Sequence, residues 1–397
     1  MDSKNNLWSS NSPAQFWQVT DSIDQSNWNE AVNKSIHQYK IQMDSKDIDQ
    51  LLHFTLGEGR FGEDHWNLSS INRIYWLIKP TMPPPFIKFI RASASRIRRH
   101  YSKNHWPIDD RFVCFQWEIM RNYLQISGKS SIPIKNFWPD KHDFSFVLTH
   151  DVETKNAQAF IPVVADLEEK YGFRSSFNIV GDQIPNDQTM LQEIKNRGFE
   201  IGLHGYHHDE SVYQSHENFH ETSKIINECL KVIGAVGFRS PLNLRNPEWM
   251  QDLEIEYDLS FFDTDPFEPI SGGCMNIWPF RIGRFIELPA TLVQDNTLVN
   301  LLGERNPKIW IDKVEFIKIF NGMALLNSHP DYLMNKTVWN VYESFLKYMK
   351  ERGDFWHALP KETAAWWRHR TENDNTIHNP GINIKQVKLI NNELVLD

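Results

Sequence analysis

Phe144-Ser145-Phe146-Val147-Leu148-Thr149-His150-Asp151-Val152-Glu153-Thr154 is the stretch that decides the fold. Residues 144–148 form an apolar run of strand length bounded by polar residues, which reads as a buried strand. Three ionisable side chains, His150, Asp151 and Glu153, follow it directly. Charged groups at the end of a buried strand are costly unless they are paired, metal-bound or catalytic. In parallel α/β folds that end of a strand is where chemistry sits. Taken alone, Asp151 also suits the N-cap of a following helix.

Outward from this stretch, strands and helices alternate. Helical patterning covers 157–171, 188–197, 219–233, 312–320 and 336–352, with Gly198, Gly234, Gly322 and Gly353 following the last four of these runs. Strand-like runs cover 175–180, 199–203, 236–239, 286–288 and 323–326. Such alternation argues for a parallel sheet covered by helices, closer to a barrel than to an open sheet. Neither a Gly-x-Gly-x-x-Gly nor a Walker loop occurs, which weakens a nucleotide-binding reading. Residues 254–285 are rich in Pro and Gly and poor in helical patterning, and a loop of that length is either functional or holds elements that local patterning misses. Residues 382–397 alternate around Asn391-Asn392 and read as a β-hairpin.

Residues 1–140 differ in character. Amphipathic pieces at 29–40, 44–56 and 110–126 suggest a mostly helical, irregular region, broken at Pro80 and Pro83 to Pro85. The expected organisation is therefore an N-terminal region (1–140), an α/β barrel (141–372) and a C-terminal hairpin (373–397). All candidate site residues lie beyond 150, so removal of residues 1–75 is expected to leave the site formed. Residues 87–103 are basic and amphipathic. They suit either a solvated face packed on the main domain or weak peripheral contact with an anionic membrane.

Composition sets bounds. The chain has 397 residues, 40% hydrophobic and 23% charged, as in ordinary soluble domains. A net charge of −9 offers no global attraction for nucleic acid. Three widely spaced cysteines (Cys114, Cys229, Cys274) form neither a disulfide framework nor a zinc-finger pattern and fit a reducing compartment. The polar N-terminus leads into no apolar segment, and no run of about 20 apolar residues occurs. A cytoplasmic location is expected, with a peripheral place at the inner face of the membrane as the alternative.

The strand at 199–203 leads into His204-Gly205-Tyr206-His207-His208. In a helical turn, a spacing of four puts His204 and His208 on one face, where two imidazoles can share a metal. A third strand ends in Arg239-Ser240-Pro241 and a fourth in Asn327-Ser328-His329-Pro330-Asp331. Two His and one carboxylate leave metal positions open for water and a substrate oxygen. A second carboxylate can take a proton from that water, a separate His can protonate a leaving amine, and an Arg can keep the base ionised. His150 and His207 neighbour these groups but point elsewhere if their neighbours point inward, as do Glu287, Asp331 and Trp366 on a packing reading.

Thr149-His150-Asp151-Val152-Glu153, His204-x-x-x-His208, Arg239-x-Pro241 and Ser328-His329-Pro330, in that order, resemble the motifs of the NodB-type polysaccharide deacetylases (carbohydrate esterase family four). With Asp263-Thr-Asp265-Pro-Phe-Glu-Pro, Glu287-Leu-Pro and His357-Ala-Leu-Pro they resemble a bacterial subgroup with a Thr-His-Asp-Val-Asp/Glu motif. The resemblance covers about 140–370. It implies a distorted (β/α) barrel of seven or eight strands, a divalent metal, often Zn²⁺, and removal of an N-acetyl group from an amino sugar. Position by position it implies Asp151 as general base, Glu153, His204 and His208 as metal ligands, Arg239 as the residue orienting the base, and His329 as general acid. Three departures stand out: Val152 separates the two carboxylates, His329 sits in Ser-His-Pro, and the usual Trp-bearing fourth motif is missing, with Asp263, Asp265 or Trp278 as stand-ins.

The expected function is N-deacetylation of a bacterial glycan or glycan precursor. Hydrolysis of another non-peptide C–N bond, such as a cyclic amide, is the alternative chemistry. A non-catalytic glycan-binding barrel is the alternative of another class, against which open metal positions argue. A non-haem Fe(II) oxygenase also uses two His and a carboxylate, but this chain order and parallel-strand context do not suit it.

Overall fold

The computed structural model describes residues 7–38, 47–62, 65, 66, 74, 78, 81–83, 98, 105–372 and 382–397. In chain order the helices are α1 (Pro13–Trp17), α2 (Gln25–Gln38), α3 (Ile48–Thr55), α4 (Arg111–Ser127), α5 (Lys155–Tyr171), α6 (Thr189–Asn196), α7 (His216–Ile233), α8 (Lys308–Ile319), α9 (Pro330–Leu333), α10 (Lys336–Lys350) and α11 (Pro360–Thr371). The strands are β1 (Ser131–Lys135), β2 (Phe144–Val152), β3 (Ser176–Ile179), β4 (Glu200–Leu203), β5 (Gly237–Phe238), β6 (Tyr257–Asp258), β7 (Phe280–Ile282), β8 (Phe285–Glu287), β9 (Met323–Ser328), β10 (Phe355–His357), β11 (Ile384–Ile390) and β12 (Glu393–Leu396).

All nine residues of β2 are buried. A strand covered by side chains on one face and helices on the other has no solvent face, so its sequence does not alternate. β2 pairs in parallel with β3, β9 and β10. The parallel ladder continues through β4, β5, β6 and β8, with β7 folded back antiparallel on β8. Beyond β8 the chain bridges to β9 at Leu292–Leu326, and the Leu292 N–H donates to Leu325 O at 3.0 Å. The sheet thus curls round into the expected distorted barrel, with its strand C-termini at one end.

The helices follow local rules. Thr154 caps α5 by accepting from Ala157 N, and Ser215 caps α7 by accepting from Asn218 N. Amphipathic α10 buries Val338, Val341, Tyr342, Phe345, Leu346 and Met349 on one stripe.

The N-terminal region is less separate than its sequence suggests. It contributes β1, which pairs antiparallel with β11, so the C-terminal hairpin is part of a three-stranded sheet. The hairpin turn places Asn391 and Asn392 at φ 52° and 70°, which asparagine tolerates. Phe16, Trp117 and Phe137 pack with Trp278 from the barrel. The buried Arg370 guanidinium of α11 donates to the carbonyls of Phe16, Lys135 and Asn136. Glu58 is fully buried against Arg245, with Oε2 at 2.9 Å from Nε and 2.6 Å from Nη2. Removal of residues 1–75 would therefore strip a buried charge partner and core aromatics from the barrel, against the expectation drawn from ligand positions alone.

Of the basic stretch 87–103, only Arg98 falls among the described residues. It donates to the carbonyls of Phe267 and Glu268 at 3.0 and 3.4 Å. Membrane contact through this stretch lies outside the described residues. Among the described residues no helix is long and apolar enough to cross a membrane, and the three cysteines are free.

Candidate active site and metal centre

Asp151 lies near the C-terminal end of β2, inside the barrel. Its Oδ1 is 3.1 Å from Arg239 Nη1, and Oδ2 accepts from Asn327 Nδ2 at 2.8 Å. Asn178 Nδ2 lies 3.3 Å from Oδ1. Burial would raise this carboxyl, but Arg239, His204, His329 and the Asn327 hydrogen bond hold it well below the usual carboxylate range. Arg239 is itself fixed by Nε donating to Leu259 O at 2.9 Å and by Nη1 contacts to Thr149 and Asn327.

Gly202 of β4 makes room for this arrangement. A Cβ there would lie 2.2 Å from Asn178 Oδ1. Glycine lets Asn178 turn inward onto Asp151.

His204 follows β4. Its Nδ1 donates to Arg239 O at 3.1 Å, which leaves the Nε2 lone pair facing the site. Burial lowers its pKa to about 4, so the ring is neutral. The segment 204–208 is a loop turn, not the helical turn expected from the spacing. Gly205 adopts φ +66°, and a Cβ there would lie 2.3 Å from Pro241 Cγ. The turn packs against the Arg-Ser-Pro segment, and the two imidazoles still converge, with ring centroids 5.1 Å apart.

Glu153 Oε1 lies 3.1 Å from His208 Nε2. Burial would raise Glu153, yet the His208 hydrogen bond and the neighbouring imidazoles bring it down to about 2. Glu153, His204 and His208 each offer a ligand atom, and these atoms lie within 4.8 Å of one another. Two imidazoles and one carboxylate, with one side open to solvent, are a donor set that fits a divalent cation with exchangeable positions.

His329 follows β9. Its Nε2 is 3.9 Å from Asp151 Oδ2 and 3.8 Å from Glu153 Oε1. Its Nδ1 donates to Asp295 Oδ1 at 2.8 Å, and its backbone N–H donates to Asp295 Oδ2 at 3.0 Å. Burial would lower its pKa, but Asp295 and then Glu153 and Asp151 push it up to about 10, so the ring is an imidazolium near neutral pH. Asp295, Asn178 and the role of Asn327 escape sequence reading. Asn327 stands in the quoted strand end but carries no charge, and Asp295 is a lone acid outside every motif.

The remaining candidates sort by the face they occupy. His150 points away from the barrel interior: Nε2 donates to Glu168 Oε1 at 2.7 Å, and Ser328 Oγ donates to Nδ1 at 2.8 Å. His207 pairs with Asp182 at 2.8 Å. Of the stand-ins for the missing motif, Asp263 pairs with Lys313, and Asp265 accepts from Phe267 N at 2.7 Å. Trp278 donates to the carbonyls of Phe320 and Asn321, just before the start of β9 and so at the opposite end of that strand from His329. Glu287 accepts from Phe261 N, Asp331 accepts from Thr154 Oγ1, and Trp366 donates to Phe137 O. None of these reaches the group around Asp151.

A curled parallel sheet whose strand ends gather a two-His, one-carboxylate cluster beside a second carboxylate and an imidazolium is the frame of a hydrolase. Residues 139–253, the segment that holds Asp151, Glu153, His204, His208 and Arg239, match the polysaccharide deacetylase family model. No curated protein matches the sequence. Among solved structures, a protein from Mycobacterium smegmatis described as a polysaccharide deacetylase aligns at 18% identity over 62% of this chain and 97% of its own, with a TM-score of 0.49. Peptidoglycan deacetylase PdaC from Bacillus subtilis aligns at 15% identity over 58% and 94%, with a TM-score of 0.39. Puue allantoinase aligns at 12% identity over 58% and 92%, with a TM-score of 0.45.

Proposed function

We propose that this chain is a metal-dependent N-deacetylase that hydrolyses the acetamide of an amino sugar in a glycan or glycan precursor. The supporting observation is the convergence of Glu153, His204 and His208 within 4.8 Å, with Asp151 and His329 both within about 4 Å of that cluster. The family match over 139–253 supports the same chemistry.

Glu153, His204 and His208 would hold a divalent cation such as Zn²⁺, which supplies Lewis-acid activation of the acetamide carbonyl and of water. Asp151, kept ionised by Arg239 and aimed by Asn178 and Asn327, accepts the proton of the attacking water. The water oxygen bonds to the carbonyl carbon. His329 donates its Nε2 proton to the sugar nitrogen as the C–N bond breaks, giving acetate and the free amine. Asp295 holds the ring at Nδ1, so Nε2 is the proton that leaves.

The test is acetate release from a panel of N-acetylated free sugars, nucleotide sugars and oligosaccharides, with and without chelator. Activity lost to chelator and restored by Zn²⁺ or another divalent ion is expected. Metal-loaded protein inactive on the whole panel would overturn the reading.

A further inference from the structure

On the outer face of the sheet, behind Asp151, lies a polar network that takes no part in the proton transfers. His150 points out from β2 toward α5 and α10. Its Nε2 donates to Glu168 Oε1 of α5 at 2.7 Å, and its Nδ1 accepts from Ser328 Oγ of β9 at 2.8 Å. Tyr342 of α10 donates to the same Glu168 oxygen, and Ser175 Oγ donates to Oε2 at 2.6 Å. All five side chains are buried. The His150 ring also stacks on Phe177 of β3, with centroids 4.8 Å apart. Burial would raise the Glu168 carboxyl, but His150, Ser175 and Tyr342 hold it below its ordinary value.

Each end of this network adjoins a reacting residue. His150 precedes Asp151, and Ser328 precedes His329. His150 and Ser328 are cross-strand partners and form the last rung of the parallel β2–β9 ladder. The rung before it, Thr149 and Asn327, points into the barrel. There Asn327 Nδ2 holds Asp151, and Thr149 Oγ1 donates to Leu326 O at 3.1 Å. The ends of β2 and β9 are therefore bonded on both faces. Past the last rung, Asp151 Oδ2 and His329 Nε2 face each other at 3.9 Å.

A buried imidazole–carboxylate pair is a poor source of stability, because desolvation offsets its attraction; apolar residues of similar volume serve a core as well or better. What such a pair does supply is geometry. A ring bonded at both nitrogens and stacked on a neighbour has one position and one tautomer.

We propose that the His150–Glu168 pair positions the reacting groups from behind the sheet: it locks the last β2–β9 rung and so fixes the separation of Asp151 from His329. The naming of those two as base and acid rests on the deacetylase reading. His150 and Glu168 are positioning residues, which act through the backbone of Asp151 and His329.

The test uses the full-length, metal-loaded protein and two variants. His150→Phe with Glu168→Gln keeps a ring against Phe177 and an acceptor for Tyr342, while it removes the charge and both bonds of the imidazole. Ser328→Ala removes only the cross-strand bond. For each, metal content after dialysis, kcat and KM on the best N-acetylated sugar of the panel, and the Asp151–His329 separation in a crystal structure are measured. Metal content should be unchanged. A misplacement of about 1 Å can cost about 10²-fold in rate, so kcat should fall about 10–10²-fold in the double variant and about threefold in Ser328→Ala, with KM within about twofold and the separation wider by about 0.5 Å. A role in stability alone would lower Tm and leave kcat and the separation as in wild type. Unchanged kcat or unchanged separation in the double variant, or in Ser328→Ala should the double variant not fold, would overturn the proposal. So would a loss of metal or a rise in KM as large as the fall in kcat. If wild type releases no acetate from any probe, the deacetylase reading falls, and the separation alone then decides whether the pair sets this geometry.

Discussion

At the scale of single residues, the division of labour between two carboxylates on one strand end is open to direct test. Asp151 has Arg239, Asn178 and Asn327 around it, while Glu153 has His208. Asp151→Asn is expected to keep metal and lose about 10²–10⁴ in turnover, the usual worth of a general base. Glu153→Gln is expected to lose metal and activity together. Metal content after dialysis, set beside turnover, decides; the reverse pattern would exchange the roles. Gly202 offers a subtler probe, because its missing Cβ leaves space for Asn178. Gly202→Ala should push Asn178 off Asp151 and slow turnover by about tenfold or more, with metal content intact. Unchanged turnover would show that Asn178 does not aim the base.

At the scale of elements, the end of the barrel opposite the site carries a pH-dependent joint. Glu200, the first residue of β4, accepts from Tyr257 Oη at 2.7 Å and from Lys361 N at the start of α11 at 3.2 Å. Burial raises its pKa from 4.5 to about 7, and the hydrogen bonds only partly oppose this. Between those values the folded state binds more protons than the unfolded state, so stability falls as pH rises through that window and levels off above about pH 7. The contribution is on the order of 3 kcal/mol. Glu200→Gln should flatten part of the decline in Tm between pH 5 and pH 8. Parallel Tm curves for the two proteins would show that Glu200 does not titrate in this range.

At the scale of the whole molecule, the described residues between 7 and 66 act as part of the barrel. Glu58 neutralises the buried Arg245 and ties the chain at Gly273. Glu58→Ala leaves that guanidinium buried without its partner, at a cost of about 3–5 kcal/mol. Denaturant unfolding should show that loss, and deletion of residues 1–75 should give insoluble protein. A soluble truncation with native-like unfolding would mean that the barrel stands alone.

Much of this was readable in the chain itself. The uninterrupted apolar run before His150 could be buried only in a covered strand, and the regular return of such runs required parallel pairing. The spacing Asp151–Glu153 survived folding because alternate positions near a strand end share a side. The spacing His204–His208 survived for a different reason: Gly205 and Pro241 bring the rings together through a loop, where the sequence suggested a helical turn. Asp295 and Asn178 were not readable. Their partners lie 34 residues away for Asp295 and 27 for Asn178, and no local pattern encodes a contact across such a separation. The same holds for Glu58, which meets its partner 187 residues along the chain. Local periodicity sets which residues face inward, so the sequence by itself determined the strands, the helices and the chemistry at the strand ends. Which inward groups meet depends on how the sheet curls and closes, and only the tertiary structure decided that.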